Sequence, residues 1–113
     1  MKLGLSTLIW LLPSIVDALT FEAPSSSWEV GDSTTVNWST SAGDPPSFAL
    51  QIYEIYYNQL YTISNDTATS LETLMFTVPV VSQGGAWTLR AANQSDFTQA
   101  PYAESGTFGI WAI

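Results

Sequence analysis

Apolar residues in this chain recur two positions apart, in short runs separated by turn-forming residues. Outside the first eighteen positions no window carries a helical period. A two-residue period places alternate side chains on opposite faces of a strand, so the chain must bury one face of a sheet against another layer. The clearest run is Gly31 to Ser39. Val36 and Trp38 fall on one side, Ser33, Thr35, Asn37 and Ser39 on the other, and Gly31-Asp32 supplies the turn leading in. Trp38 is large enough to sit at the centre of a small core, with the later apolar strands packed around it.

The same alternation predicts the other strands. Leu19 to Glu22 is a short first strand stopped by Pro24 and the Ser25-Ser26-Ser27 run, and Trp28 and Val30 continue that edge. Phe48, Leu50 and Ile52 alternate with Ala49, Gln51 and Tyr53, and residues 56–59 turn the chain into Leu60 to Ile63. Residues 65–70 read as a polar connection. Leu74, Phe76 and Val78 form a strand ended by Pro79, which cannot donate to a ladder. Trp87, Leu89 and Ala91 follow the Gln83-Gly84-Gly85 turn, residues 93–103 read as a long polar loop, and Phe108, Ile110 and Ala112 close the chain. About seven short strands with turn signals roughly every 8–12 residues predict an all-β, immunoglobulin-like antiparallel β-sandwich. An eight-stranded barrel is the alternative.

Residues 1–18 read as a secretory signal peptide: Lys2, an apolar run from Leu3 to Leu12, a break at Pro13, and Val16-Asp17-Ala18 before the cut. The apolar run is shorter than the roughly 20 residues that span a bilayer. Residues 19–113 then form one domain, secreted to the extracellular space or cell wall. Cleavage removes one of two basic residues, Lys2, and one of ten acidic residues, Asp17, so the net charge stays at −8. That charge excludes a nucleic-acid backbone as partner and is repelled by anionic membranes. The chain has no cysteine, so no disulfide or thiolate site exists, and the core alone must hold the fold. Of five Trp, five Tyr and five Phe, all but Trp10 fall within residues 19–113 and supply the apolar area for it.

The pattern resembles the small fungal secreted domain of the Kre/Knh type, named after yeast cell-wall synthesis proteins and found at the N-terminus of Ser/Thr-rich, glycosylphosphatidylinositol-anchored wall proteins. The resemblance rests on Leu19-Thr20-Phe21 with Pro24, Gly31 leading into Val36-Asn37-Trp38-Ser39, and Phe76-Thr77-Val78-Pro79. Later come the run from Gly85 to Ala91 and the closing Ser105 to Ile110. It implies an immunoglobulin-like sandwich in the fungal wall, associated with β-glucan assembly, and no established catalytic residues. The anchored members carry a Ser/Thr-rich stalk and a hydrophobic tail. This sequence stops at Ile113, inside the last predicted strand, so a freely secreted domain is expected.

Candidate sites are few. Tyr53, Tyr56, Tyr57 and Tyr61 cluster around one predicted hairpin, with Glu54, Asn58 and Gln59 beside them. Exposed aromatic faces stack on the C–H surfaces of sugars while carboxylates and amides bind hydroxyls, so this group is a carbohydrate platform. The competing reading makes Tyr53 and Tyr61 a cross-strand pair covering a sheet face. Trp111, pointing away from Phe108 and Ile110, is a second sugar candidate or the mark of a homo-oligomer face, since the last strand reads as an exposed edge. Sequons occur at Asn65, Asn93 and Asn37 as N-glycosylation candidates, with Asn65 in a polar loop.

Residues 19–113 contain no His, Cys or Lys, which removes Ser-His triads, thiolate nucleophiles and Schiff bases. A Glu54–Glu72 pair across strands is what remains for acid/base chemistry, and no catalytic role is expected. Asp44, Asp66 and Asp96 match no calcium-loop spacing and read as turn formers, so neither metal nor cofactor is expected. The leading expectation is a non-catalytic domain that binds or organises β-glucan. The rival is a secreted protein-interaction module, an effector or an oligomeric surface component, with no carbohydrate ligand.

Overall fold

The computed structural model describes residues 19–112; the expected signal peptide, residues 1–18, and Ile113 lie outside the described residues. Nine strands follow in order: β1 Thr20–Phe21, β2 Trp28–Glu29, β3 Ser33–Ser39, β4 Ser47–Glu54, β5 Gln59–Ala68, β6 Thr73–Thr77, β7 Gly84–Ala92, β8 Ala103–Glu104 and β9 Phe108–Trp111. A 3-10 turn, Thr69–Leu71, joins β5 to β6. The smaller sheet has the order β1-β3-β6 and the larger the order β2-β9-β7-β4-β5, with β8 added beside β7. The chain is an all-β protein of two packed sheets, a β-sandwich; the sheets keep open edges, which answers the barrel alternative.

Alternation in β3 is as the sequence predicts: Val36 and Trp38 are buried, while Ser33, Thr35, Asn37 and Ser39 are exposed. The core joins Leu19, Phe21, Val36 and Trp38 of the small-sheet side to Phe48, Leu50, Ile52, Trp87, Leu89 and Ile110 of the large one. It has three aromatic foci instead of one centre. Trp38 packs edge-on against Phe21 and Phe48 with centroids 6.3 and 5.3 Å away. Trp28 packs edge-on against Phe76 at 5.5 Å and at a tilt against Phe108 at 4.5 Å. Trp87 is fully buried, and its indole N–H donates to the Ser82 carbonyl at 3.1 Å. The Trp38 N–H donates to the Thr69 carbonyl at 2.8 Å, so the indole donors of Trp38 and Trp87 are both satisfied.

Four expectations are corrected. First, Trp28 does not continue the β1 edge. The chain crosses between the sheets over residues 22–27, and β2 pairs in parallel with β9, Trp28 opposite Ile110 and Glu29 opposite Trp111, so the sandwich is not wholly antiparallel. Second, β9 is therefore no exposed edge. It lies between β2 and β7, which removes the proposed route to a homo-oligomer through an open last strand. Third, residues 65–68 are strand, not loop. β5 runs ten residues along β4, from Gln59 opposite Glu54 to Ala68 opposite Ser47, with two register shifts near Leu50. Polar Asn65 and Asp66 are tolerated because β5 pairs with β4 alone among the described strands. Fourth, the loop over 93–103 ends one residue early, as Ala103 pairs with Ala91 in the short strand β8.

Candidate functional site

β4, β6 and β9 end, and β5 and β7 begin, at one end of the sandwich. The four residues between β4 and β5, Ile55 to Asn58, form its tip. The turn is pinned on both sides. The Ile55 N–H donates to the Ala86 carbonyl at 3.0 Å, and the Tyr57 N–H donates to Glu54 Oε1 at 2.7 Å. Asn58 takes a left-handed φ of 53°, which a short polar side chain tolerates better than most. Held this way, Tyr56 and Tyr57 project into solvent, 83% and 66% exposed.

The four tyrosines do not form one platform. Tyr53 pairs with Leu60 and Tyr61 with Ile52, so Tyr53 lies on the outer face of the large sheet and Tyr61 on the face that carries the core. The Tyr53 ring carries the Arg90 guanidinium at 4.0 Å from its centroid, and its hydroxyl donates to Asn58 Oδ1. Arg90 also pairs with Glu104 at 2.9 Å, and Thr88 donates to the same carboxylate oxygen at 2.9 Å. Tyr53 is thus engaged inside the protein and withdrawn from the candidate surface. Tyr61 lines a groove of about 500 Å³ with Gln59, Leu60, Val80, Ser82 and Trp87. Glu54 is also withdrawn: it follows Ile52 on the core face, is 1% exposed, and acts as the cap of the tyrosine turn.

Trp111 is seated by glycine. Its indole lies across Gly109, where any β-carbon would collide with the ring nitrogen, and reaches Gly85, whose β-carbon would stand 3.9 Å from Cζ2. The absence of side chains at both positions lets the ring lie along the outer surface of β9 and β7, half-exposed. Ser27 Oγ approaches the same point of Gly109 at 3.0 Å. Beyond Ser27 a cleft of about 250 Å³ opens, lined by hydroxyl and carboxyl groups that include Ser25, Ser27, Glu29, Asp32 and Thr35. The carboxyl of Glu29 is held above the usual range, chiefly by a hydrogen bond with Asp32, then by slight burial and the neighbouring negative charge. The sequence reading missed this cleft because Ser25-Ser26-Ser27 looked like a strand stop. Its one signal was that Glu29 alternates with buried Trp28.

All three sequons lie toward the other end of the sandwich. Asn37 is exposed on the outer face of β3, opposite Thr73, and Asn65 is exposed on β5. Asn93 follows β7; its Oδ1 accepts from the Ser95 N–H at 2.8 Å and its amide donates to Gln99 at 3.3 Å. Gln94 Nε2 donates to the Asn65 carbonyl at 2.8 Å, which places the Asn65 and Asn93 sequons side by side.

The remaining carboxylates are dispersed. Glu54 caps the tip, whereas Glu72 follows the 3-10 turn at the far end and accepts from Thr40 at 3.1 Å, so they are not the cross-strand neighbours expected. Asp44 accepts from the Ser41 N–H at 2.6 Å and Asp96 from the Thr98 N–H at 3.0 Å, both as turn formers. Asp66 is instead a strand residue held by Gln94 at 3.0 Å. Among the described residues no three acidic side chains gather as a metal site, and no helix is long and apolar enough to cross a membrane. Compared with known proteins, the chain matches no family model and no curated sequence.

Proposed function

We propose that this chain is a secreted, non-catalytic, immunoglobulin-like domain that binds a neutral wall polysaccharide, β-glucan in the first instance, through the aromatic end of its sandwich. The observation that carries the reading is the charge distribution around Tyr56 and Tyr57. The protein has a net charge of −8, yet residues 55–61 and 78–85, which flank the tip, contain no charged side chain. Two largely exposed tyrosines on a pinned turn, edged by Asn58, Gln59, Ser82 and Gln83, suit a ligand that is uncharged, rich in hydroxyls and apolar on its flat faces. The turn's backbone is already fixed by its hydrogen bonds to Ala86 and Glu54, so binding has to order only the tyrosine side chains.

A second reading has its own support. Val80 is 87% exposed and Leu60 46% exposed, both beside the Tyr61 groove, and together they offer an apolar surface of the kind a protein partner covers. Co-sedimentation separates the two. The folded domain should pellet with insoluble β-glucan and be released by soluble glucan fragments. If it remains in the supernatant at every glucan concentration, the carbohydrate reading fails and the protein-interaction reading stands.

A further inference from the structure

We infer that the anchoring subsite for the sugar is the Trp111 indole together with the cleft beyond Ser27, and that it takes a neutral pyranose with equatorial substituents. The inference rests on the polysaccharide reading above and assigns that binding to a specific place. Three features meet there. Gly109 and Gly85 seat the indole along the sheet with its other side in solvent, the posture in which a ring offers a whole face to a ligand. Ser27 Oγ stands at the edge of that seat and also lines the cleft. Glu29 is the register partner of Trp111 and faces the same way, so its carboxyl is within the same surface.

The chemistry of that combination is selective. A pyranose whose hydroxyls are equatorial has two flat faces of C–H groups, which pack on an indole as an apolar surface does. Its hydroxyls radiate from the ring edge, where the hydroxyl and carboxyl groups of Ser25, Ser27, Glu29, Asp32 and Thr35 can exchange hydrogen bonds with them. The two carboxyl groups disfavour uronate or sulfated sugars by like-charge repulsion. The turn that carries Tyr56 and Tyr57 is fastened to the neighbouring strand, since the Ile55 N–H donates to the carbonyl of Ala86, the residue after Gly85. These tyrosines extend the contact for longer chains and do not anchor the first sugar.

The test is calorimetric titration of the folded domain with laminaritriose and laminarihexaose, and with a trigalacturonate as anionic control. Trp111→Ala should weaken both neutral ligands by about tenfold or more, as truncation of an aromatic anchor does. Gly109→Ala keeps the tryptophan but lifts it from its seat, and should weaken both as well. A Tyr56→Ala/Tyr57→Ala double variant should weaken the hexaose and leave the triose unchanged. Trp111 is half-exposed, so its alanine variant should still unfold cooperatively with only a modestly lowered midpoint, which keeps the test independent of Gly109→Ala folding well. Triose binding that survives Trp111→Ala, or trigalacturonate binding as tight as triose, overturns this subsite while leaving the polysaccharide reading intact. A wild-type domain that binds neither neutral oligomer overturns both.

Discussion

Tyr53 and Tyr61 stand on opposite faces of the larger sheet, because Tyr53 pairs with Leu60 and Tyr61 with Ile52 across the β4–β5 hairpin. Their environments differ accordingly: Tyr53 carries the Arg90 guanidinium on its ring, while Tyr61 lines an open groove. Tyr53→Ala should cost about 1–2 kcal/mol, combining the lost cation–π contact with the lost bond to Asn58. Tyr61→Ala should stay within about 0.5–1 kcal/mol, as expected for a surface site. Urea unfolding of the two variants checks the order; equal losses would contradict the placement.

Trp38 ties the small sheet to the 3-10 turn through its 2.8 Å bond to the Thr69 carbonyl, in a part of the core that no disulfide supports. Trp38→Ala should cost about 3–5 kcal/mol, a large share of the 5–15 kcal/mol available to a domain of this size. Trp38→Phe keeps most of the packing but leaves the carbonyl without its donor, and should cost about 1–3 kcal/mol. Thermal and urea unfolding of both variants measure these values.

Glu54 links core and tip, since it is buried and accepts from the Tyr57 backbone. Glu54→Gln retains an acceptor for that N–H and should be the milder change, whereas Glu54→Ala should cost about 1–3 kcal/mol by leaving the N–H unpaired. Amide hydrogen exchange at Tyr57 reads the bond directly. It should accelerate in Glu54→Ala and change little in Glu54→Gln.

Two carboxyls near the surface give opposite pH signatures. Asp96 is held below its usual range by the Thr98 hydroxyl and then the Thr98 N–H, so its folded form favours the charged state. Its stabilisation is present above the unfolded carboxylate pKa and is lost as pH falls through the lower folded value. Glu29 is held above its usual range by Asp32, so its contribution is present in acid and is lost as pH rises through the raised value. Unfolding midpoints measured across acid to neutral pH should therefore show Asp96→Ala weakest against wild type near neutrality. Glu29→Gln should exceed wild type there. The Asp96 difference should shrink only as pH falls through its lowered folded value, and the Glu29 difference as pH falls below its raised one.

Legibility from sequence followed how differently the two sides of each strand are used. In β3 one face is buried and the other solvated, so Val36 and Trp38 declared themselves by alternation. In β4 both faces are covered, and Ala49, Gln51 and Glu54 are buried against expectation, because β5 and β7 flank the strand and the turn folds over Glu54. The polar end of β5 resembles a loop in composition, yet its backbone is fixed by pairing of Thr67 with Phe48 and Ala68 with Ser47, which local propensity does not encode. For the site, exposure of Tyr56 and Tyr57 was readable from their turn. The seat of Trp111 was not, because it needs Gly85 and Gly109 brought together from two strands, with Ser27 arriving from a third segment.

The most direct measurement is the tryptophan fluorescence of the folded domain, residues 19–113, titrated with soluble laminarin and pustulan fragments, which are β-glucans of different linkage. Trp111 is half-exposed while Trp28, Trp38 and Trp87 are buried, so a sugar stacked on the aromatic end should shift the exposed component. The account predicts a saturable shift with at least one of these neutral glucans. A folded domain whose emission is unchanged by either, up to the solubility limit, would contradict it.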